Sequence, residues 1–309
     1  MVKTQQIPHP SQRNFIITET DGDTPVEYAQ WDRARFVVIP VPYDGTATYR
    51  AGAREAPRAI LEASEEIEPY DHELQNNPYQ AGIYTRGDVS VAIPPEKMHQ
   101  NIYEAVKQVV TAGKIPITLG GEHSITYPAV KAVHDKYQNL AVLYFDAHGD
   151  LRQEWEDTPL SHACSARRIH ELGCPIVEVG IRSISEEEHL FVQKANDVHV
   201  IWALQVHDDT DAALAKILQV LPKQGSPLYL SFDLDCFDPA YIPATGTPEP
   251  GGLTWYQVMK ILKAVLPRYR VVGFDAMELA PIIAAPSHYS AATAAKLIYK
   301  IIGLSIKAS

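Results

Sequence analysis

The chain has 309 residues, 46% of them hydrophobic and 21% charged, enough apolar material for one large α/β domain or two small ones. Lys and Arg number 27 against 38 Asp and Glu, a formal net charge of −11 that repels phosphate backbones and argues against a nucleic-acid partner. The three cysteines, Cys164, Cys174 and Cys236, have no paired spacing, which argues against a disulfide framework and for the reducing cytoplasm.

Residues 1–34 are polar and irregular, with Pro8 and Pro10 early and no apolar run of a signal peptide before Arg13; they read as an N-terminal arm or surface extension. Residues 35–309 then read as a single domain. Strands are predicted at Phe36–Pro42, Ile115–Leu119, Leu140–Phe145, Ile176–Ile181, Val198–Trp202, Leu228–Leu234 and Val271–Phe274. Several are apolar on both faces, the pattern of a parallel sheet covered by helices on each side. Pro57 suits the first turn of a helix through Ile60 and Leu61, where no amide donor is needed. Thr254 and Gln257 form a capping box ahead of the apolar face Val258, Ile261, Leu262 and Val265. A last helix is predicted from near Ser290, burying Ala294, Leu297, Ile298 and Ile301. The Pro- and Gly-rich stretch 239–252 lies between a strand and a helix, where α/β proteins carry function, and is no domain boundary. No stretch approaches the roughly 18 consecutive apolar residues of a membrane span.

Three segments carry candidate chemistry, each at the end of a predicted strand: Gly120-Gly121-Glu122-His123-Ser124, Asp146-Ala147-His148-Gly149-Asp150 and Asp233-Leu234-Asp235. Alternation with period two would turn Asp146 and His148 the same way, and likewise Asp233 and Asp235. Asp150 joins the first pair if the strand stays extended or by a turn at Gly149. In an open parallel sheet, ligands gather beyond the carboxyl ends of the strands. Alone, Asp233 and Asp235 read equally well as loop caps, and His123 as a satisfied histidine; together, the three segments read as a metal site. Four adjacent carboxylates repel one another, and two divalent cations cancel their charge. Oxygen donors with one imidazole per ion suit Mn²⁺ better than a thiolate-seeking metal, with nickel or another divalent ion as the alternative. Two such ions about 3.5 Å apart can share a water and lower its pKa.

On these motifs, and on Ser231 to Leu253 (SFDLDCFDPAYIPATGTPEPGGL), the chain resembles the ureohydrolase family, which includes arginase and agmatinase. The resemblance runs from about Val37 to Ile302 and is closest to the bacterial and archaeal agmatinases. It implies a three-layer α/β/α sandwich around a parallel eight-stranded sheet, one strand more than the pattern predicts. It also implies that His123 and Asp150 bind one Mn²⁺, that His148 and Asp235 bind the other, and that Asp146 and Asp233 bridge them. His162 matches the family's catalytic histidine, a proton shuttle to the leaving amine, and Glu278 matches the glutamate that pairs with the guanidinium. The implied reaction is attack of metal-bound hydroxide on a guanidinium carbon, releasing urea and an amine without an organic cofactor. Homo-oligomers, trimers or hexamers, are the assembly implied.

The substrate is the open point. Arginases carry an asparagine where this chain has Arg152, and an aspartate where it has Ser183, and both departures argue against arginine. Leu151 to Glu156 and Leu160 to Cys164 look like agmatinase segments. Agmatine, cleaved to putrescine and urea, carries a second cation, for which Glu154, Glu156 and Asp157 would form a negative rim; a solvated charged loop reads equally well. N1-aminopropylagmatine and 4-guanidinobutyrate, the latter with Arg152 as carboxylate partner, stay open, as do a non-catalytic metal-binding subunit and a metal-dependent deacetylase. Ala284 and the residues after Leu279 depart from the most typical family wording.

Overall fold

Runs rich in Val, Ile, Leu and Phe form the strands, and every strand is buried almost end to end because helices cover both of its faces. The computed structural model describes residues 7–17, 23–91, 94–282 and 288–306. The strands are β1 (Phe36–Pro40), β2 (Ile83–Thr85), β3 (Ile115–Leu119), β4 (Ala141–Phe145), β5 (Ile176–Ile181), β6 (Val198–Trp202), β7 (Pro227–Phe232) and β8 (Arg270–Ala276). They form one 8-stranded sheet in the order β2-β1-β3-β8-β7-β4-β5-β6, with every pairing parallel.

The helices are α1 (Ala56–Ser64), α2 (Pro95–Thr111), α3 (Thr126–His134), α4 (Ser165–His170), α5 (Glu186–Lys194), α6 (Ala203–Asp208), α7 (Thr210–Val220), α8 (Trp255–Val265) and α9 (His288–Ile306). Strand alternation divides the core between two layers. Phe36 and Val38 of β1, with Ala141, Leu143 and Phe145 of β4, pack with α1, α7, α8 and α9. Val37, Ile39, Val142 and Tyr144 point the other way and pack with α2, α3 and α4. The result is the three-layer α/β/α sandwich that the resemblance implies. Among the described residues, no helix is long and apolar enough to cross a membrane.

The strand missing from the sequence pattern is β2, only 3 residues long and too short to show a period. It pairs in parallel with β1, Ile83 opposite Phe36 and Thr85 opposite Val38. The predicted Leu228–Leu234 strand stops at Phe232, and Leu234 instead opens a 3₁₀ turn over Leu234–Cys236. The capping box at Thr254 and Gln257 forms as expected, and Pro57 sits in the first turn of α1.

Part of the N-terminal extension is laid against this body. Phe15, Ile16 and Ile17 are buried; the Phe15 N–H donates to Thr85 Oγ1 and the Ile16 N–H to Ser64 Oγ. Pro10 and Arg86 form an antiparallel bridge. Near the other end of the chain, Lys300 of α9 is buried with Asp71 at 2.9 Å and Glu73 at 3.2 Å, which ties the last helix to the loop after α1. Ala284 lies outside the described residues.

One buried ionisable group in α2 makes the fold sensitive to acid. His99 has no hydrogen-bond partner on either ring nitrogen and packs against Tyr127; burial alone pushes its pKa down from 6.5 to about 4. The unfolded chain therefore binds the proton more readily, so stability is lost as pH falls from about 6.5 through about 4, by about 3 kcal/mol in full. His99→Leu is expected to flatten this part of the pH dependence. Urea unfolding of both proteins at neutral and mildly acidic pH checks it, and parallel curves would exclude His99 as the cause.

Candidate metal centre

Five neighbouring strands deliver the site from their carboxyl ends. His123 follows β3, Glu278 follows β8, Asp233 and Asp235 follow β7, Asp146, His148 and Asp150 follow β4, and Arg182 follows β5. The register of β4 on β7 sets Phe145 opposite Phe232, and their rings stack with centroids 4.3 Å apart. The next residue on each strand is an aspartate, so Asp146 and Asp233 emerge side by side. The Asp233 N–H donates to Phe145 O at 2.9 Å and the Asp146 N–H to Val179 O at 3.1 Å, extending the ladder under both carboxylates.

Beyond that point the strand alternation expected from the sequence gives way to turns. Asp146 Oδ1 accepts the His148 N–H at 2.7 Å, and Asp233 Oδ1 accepts the Asp235 N–H at 2.8 Å. Each first aspartate thus caps the amide two residues on, and this local bond brings the pair together where an extended strand was expected. Asp150 joins through its own positive φ of 50° rather than through Gly149; its Oδ2 accepts the Tyr144 hydroxyl at 2.9 Å.

The ligand atoms converge in two groups, His123 with Asp146 and Asp233, and His148 with Asp146 and Asp235; within each group they lie within 4.8 Å of one another. Asp146 belongs to both. His123 Nδ1 lies 3.0 Å from Asp146 Oδ2, 3.3 Å from Asp150 Oδ2 and 3.3 Å from Asp233 Oδ2. His148 Nδ1 lies 3.1 Å from Asp235 Oδ2 and 3.6 Å from Asp146 Oδ1.

The surrounding bonds test whether a cation fits. Asp275, fully buried, accepts from Ser231 Oγ, Tyr229 OH, Thr126 Oγ1 and the Phe232 N–H. Since the Ser231 hydroxyl donates to Asp275, it accepts from His123 Nε2 at 2.8 Å. The imidazole then turns its Nδ1 toward three carboxylate oxygens, which calls for a proton or a metal between them. Asp146 Oδ2 is buried without a hydrogen-bond partner. Burial and the neighbouring carboxylates Asp235 and Asp146 push Asp233 well above the usual carboxylate range. Burial together with Asp150 and Asp235 likewise raises Asp146. Burial opposes charge on His148, but Asp235 and Asp146 outweigh it and hold the imidazolium up to about 12. A single proton offsets one carboxylate, whereas two divalent cations offset all four. The donors present therefore fit two metal ions.

His123, His148, Asp150 and Asp233 of the cluster line a cavity of about 210 Å³. Arg152, His162, Ser183, Thr247 and Glu278 contribute to its walls. Glu278 sits at a positive φ of 66°, an unusual backbone for a non-glycine residue. It is held by its own N–H on Gly121 O at 2.8 Å and by the His123 N–H on Oε1 at 2.8 Å; burial and Glu122 raise its carboxyl well above the usual range. His162 turns Nδ1 toward the hydroxyls of Thr46 and Ser161. Thr46 in turn is clamped by Glu122, which accepts both its N–H and its hydroxyl. Arg152 stacks over Trp155, 4.4 Å from the ring centroid. Glu154, Glu156 and Asp157 are not among the lining residues. They belong to a short hairpin in which Trp155 and Thr158 bond one another and Glu156 and Asp157 both have positive φ.

Ser231, Asp275, Glu122, Thr46 and Thr247 were not singled out from the sequence. Ser231 had a usable signal, because it lies two residues before Asp233 on the same strand face. Thr247, which donates to Asp235 Oδ2 at 3.2 Å, lay within the quoted loop but carried no spacing.

The model of the Arginase family matches residues 34–303. An N(1)-aminopropylagmatine ureohydrolase of Thermus thermophilus is 39% identical over 285 residues, which span 92% of this chain and 93% of that protein. An agmatinase of Pyrococcus horikoshii is 36% identical over 276 residues, 89% of this chain and 93% of that protein. Among solved structures, the agmatine ureohydrolase of Thermoplasma volcanium is similar with a TM-score of 0.80 at 32% identity, covering 91% of this chain and 94% of that one.

Asp233→Asn removes one crowded charge while keeping the oxygen that accepts from Asp235. The metal-free variant is expected to melt above the metal-free wild type, and Mn²⁺ is expected to raise its Tm less. For the wild type, free Mn²⁺ at 100 times its Kd contributes about 2.7 kcal/mol per site. Scanning calorimetry with and without Mn²⁺ decides; a metal-free variant that melts lower than wild type would remove Asp233 from the charge cluster.

Proposed function

The chain belongs to the arginase family, and from that premise we propose that it hydrolyses agmatine to putrescine and urea with two Mn²⁺ ions. As a family member it is a hydrolase of guanidino carbon–nitrogen bonds. The observation that carries the reading is the pair of ligand groups sharing Asp146, beside a cavity lined by His123, His148, Asp233 and Glu278. When bound, the two ions supply Lewis acidity and an acidified water, the chemistry an unreactive guanidinium needs.

The chain's own groups have separable tasks. His123 and Asp150 would hold one ion and His148 and Asp235 the other, with Asp146 and Asp233 available to both. Glu278 Oε1 is taken by the His123 N–H, which leaves Oε2 for the planar guanidinium. His162 faces Thr46 and Ser161 through Nδ1, so its Nε2 is the atom to hold the proton for the leaving amine. Arg152 and Ser183, which line the cavity, contact the remainder of the substrate. The residues from 35 onward act as one catalytic unit in a cytoplasmic homo-oligomer of three or six copies, with residues 1–34 as an N-terminal extension.

Agmatine is assigned as substrate from the agmatinase-like segments at Leu151 and Leu160 and from the 36% identical agmatinase. N1-aminopropylagmatine is the second reading, favoured by the 39% identical relative. Urea release by the Mn²⁺-loaded protein on equal concentrations of agmatine, N1-aminopropylagmatine, arginine and 4-guanidinobutyrate is expected to give the highest kcat/KM for agmatine. A preference for N1-aminopropylagmatine would install the second reading, and no urea from any of the four would overturn both. Glu278→Gln is expected to lower kcat/KM by roughly 10–100-fold, the loss of one charged hydrogen bond, with metal content unchanged; unaltered kinetics would take Glu278 out of the guanidinium site.

A further inference from the structure

We propose that Arg182, outside the catalytic cavity, is the positioning residue for one half of the metal centre, the half built from Asp146, His148 and Asp235. The inference rests on the two-metal reading of the site. Arg182 follows β5, and its side chain is surrounded by main-chain carbonyls from three segments. Nη2 donates to Asp235 O and Glu249 O, both at 2.8 Å. Nη1 donates to Gly180 O and Nε to Pro250 O, both at 3.1 Å, with longer bonds of 3.5 Å to Cys236 O and Phe237 O. Carbonyl dipoles pointed at one spot repel, and a planar cation with five donors lets them converge. The main chain of Arg182 completes the arrangement, because its N–H donates at 2.9 Å to Ala147 O, between Asp146 and His148.

The side chain thus grips the Asp235 loop, while the main chain, whose N–H any residue at this position keeps, holds the loop of Asp146 and His148. It also sets a third element. Holding Glu249 O fixes the loop whose carboxylate lies 4.0 Å from His148 Nε2. At that distance the carboxylate makes no hydrogen bond to the ring, and its effect on His148 is that of a nearby negative charge. The other histidine has separate supports, since His123 rests on Ser231 and Asp275, while Asp146 and Asp233 stand between the two halves. Arg182 makes none of those bonds. Its loss should therefore act on one ion and spare the other.

The test is calorimetric titration of the metal-free full chain with Mn²⁺, for the wild type, Arg182→Lys and Arg182→Gln, with electron paramagnetic resonance on the same samples. The wild type is expected to bind two ions and show the signal of a spin-coupled pair. In both variants the tighter ion is expected to bind as in the wild type and the second roughly 10–100-fold more weakly. At two equivalents the coupled signal should give way to that of isolated Mn²⁺. The lysine variant keeps the charge but not the fork, and decides if the glutamine variant does not fold. Two ions bound at wild-type strength, or both weakened alike, would overturn the assignment. A wild type that binds fewer than two ions would instead overturn the two-metal reading itself.

Discussion

Four aspartate carboxylates meet within a few ångströms, largely shut off from water, and most of the surrounding structure serves to hold them there. Left to themselves, such groups would take up protons or move apart. They are prevented from doing so by the ladder beneath them, by the stacked rings of Phe145 and Phe232, and by the turns in which Asp146 and Asp233 cap their neighbours. The site is thus preorganised around a charge that the protein does not itself supply. Its strain is electrostatic, with a backbone share at Asp150 and Glu278, both held at positive φ.

The strand order makes this crowding possible. β3 and β4 are consecutive strands of the chain, yet β8 and β7 lie between them in the sheet. Residues more than a hundred positions apart in the chain, such as His123 and Asp233, consequently share one crevice. The same arrangement places Asp275 of β8 under Ser231 of β7, so the support for His123 comes from two strands that enter the sheet late. Catalytic precision here is a property of the sheet's centre, while the loops contribute the cavity walls.

The fold class was legible because doubly buried strands have an unmistakable apolar run, and seven of the eight strands showed it. β2 did not, since three residues of Ile-Tyr-Thr carry no periodic signal and are recruited by pairing with β1. The candidate metal ligands were legible because Asp-x-His-x-Asp and Asp-x-Asp at strand ends concentrate charge where charge is otherwise avoided. The mechanism of their convergence was not legible, because a side-chain cap on the next-but-one amide and strand alternation predict the same pairing from the same spacing. Arg182 was not legible, because its carbonyl cage draws on Gly180, Asp235 and Glu249, whose proximity depends on tertiary structure. Glu154, Glu156 and Asp157 read as a rim because they are close in sequence to Arg152; they sit on a tight hairpin and are not lining residues of the cavity.

The N-terminal segment over β2 has a consequence for how copies of this chain can meet. A parallel sheet ends in a row of unpaired amides and carbonyls that readily templates another strand. Here the Ser11 N–H takes Thr85 O, and the Gly87 N–H takes His9 O, so the chain consumes those groups itself. Growth of the sheet from one molecule into the next is blocked on that side. On that side, contacts between copies have to be built from side chains on helices and loops instead, and such interfaces can be retuned by single substitutions without disturbing the sheet that carries the candidate metal site.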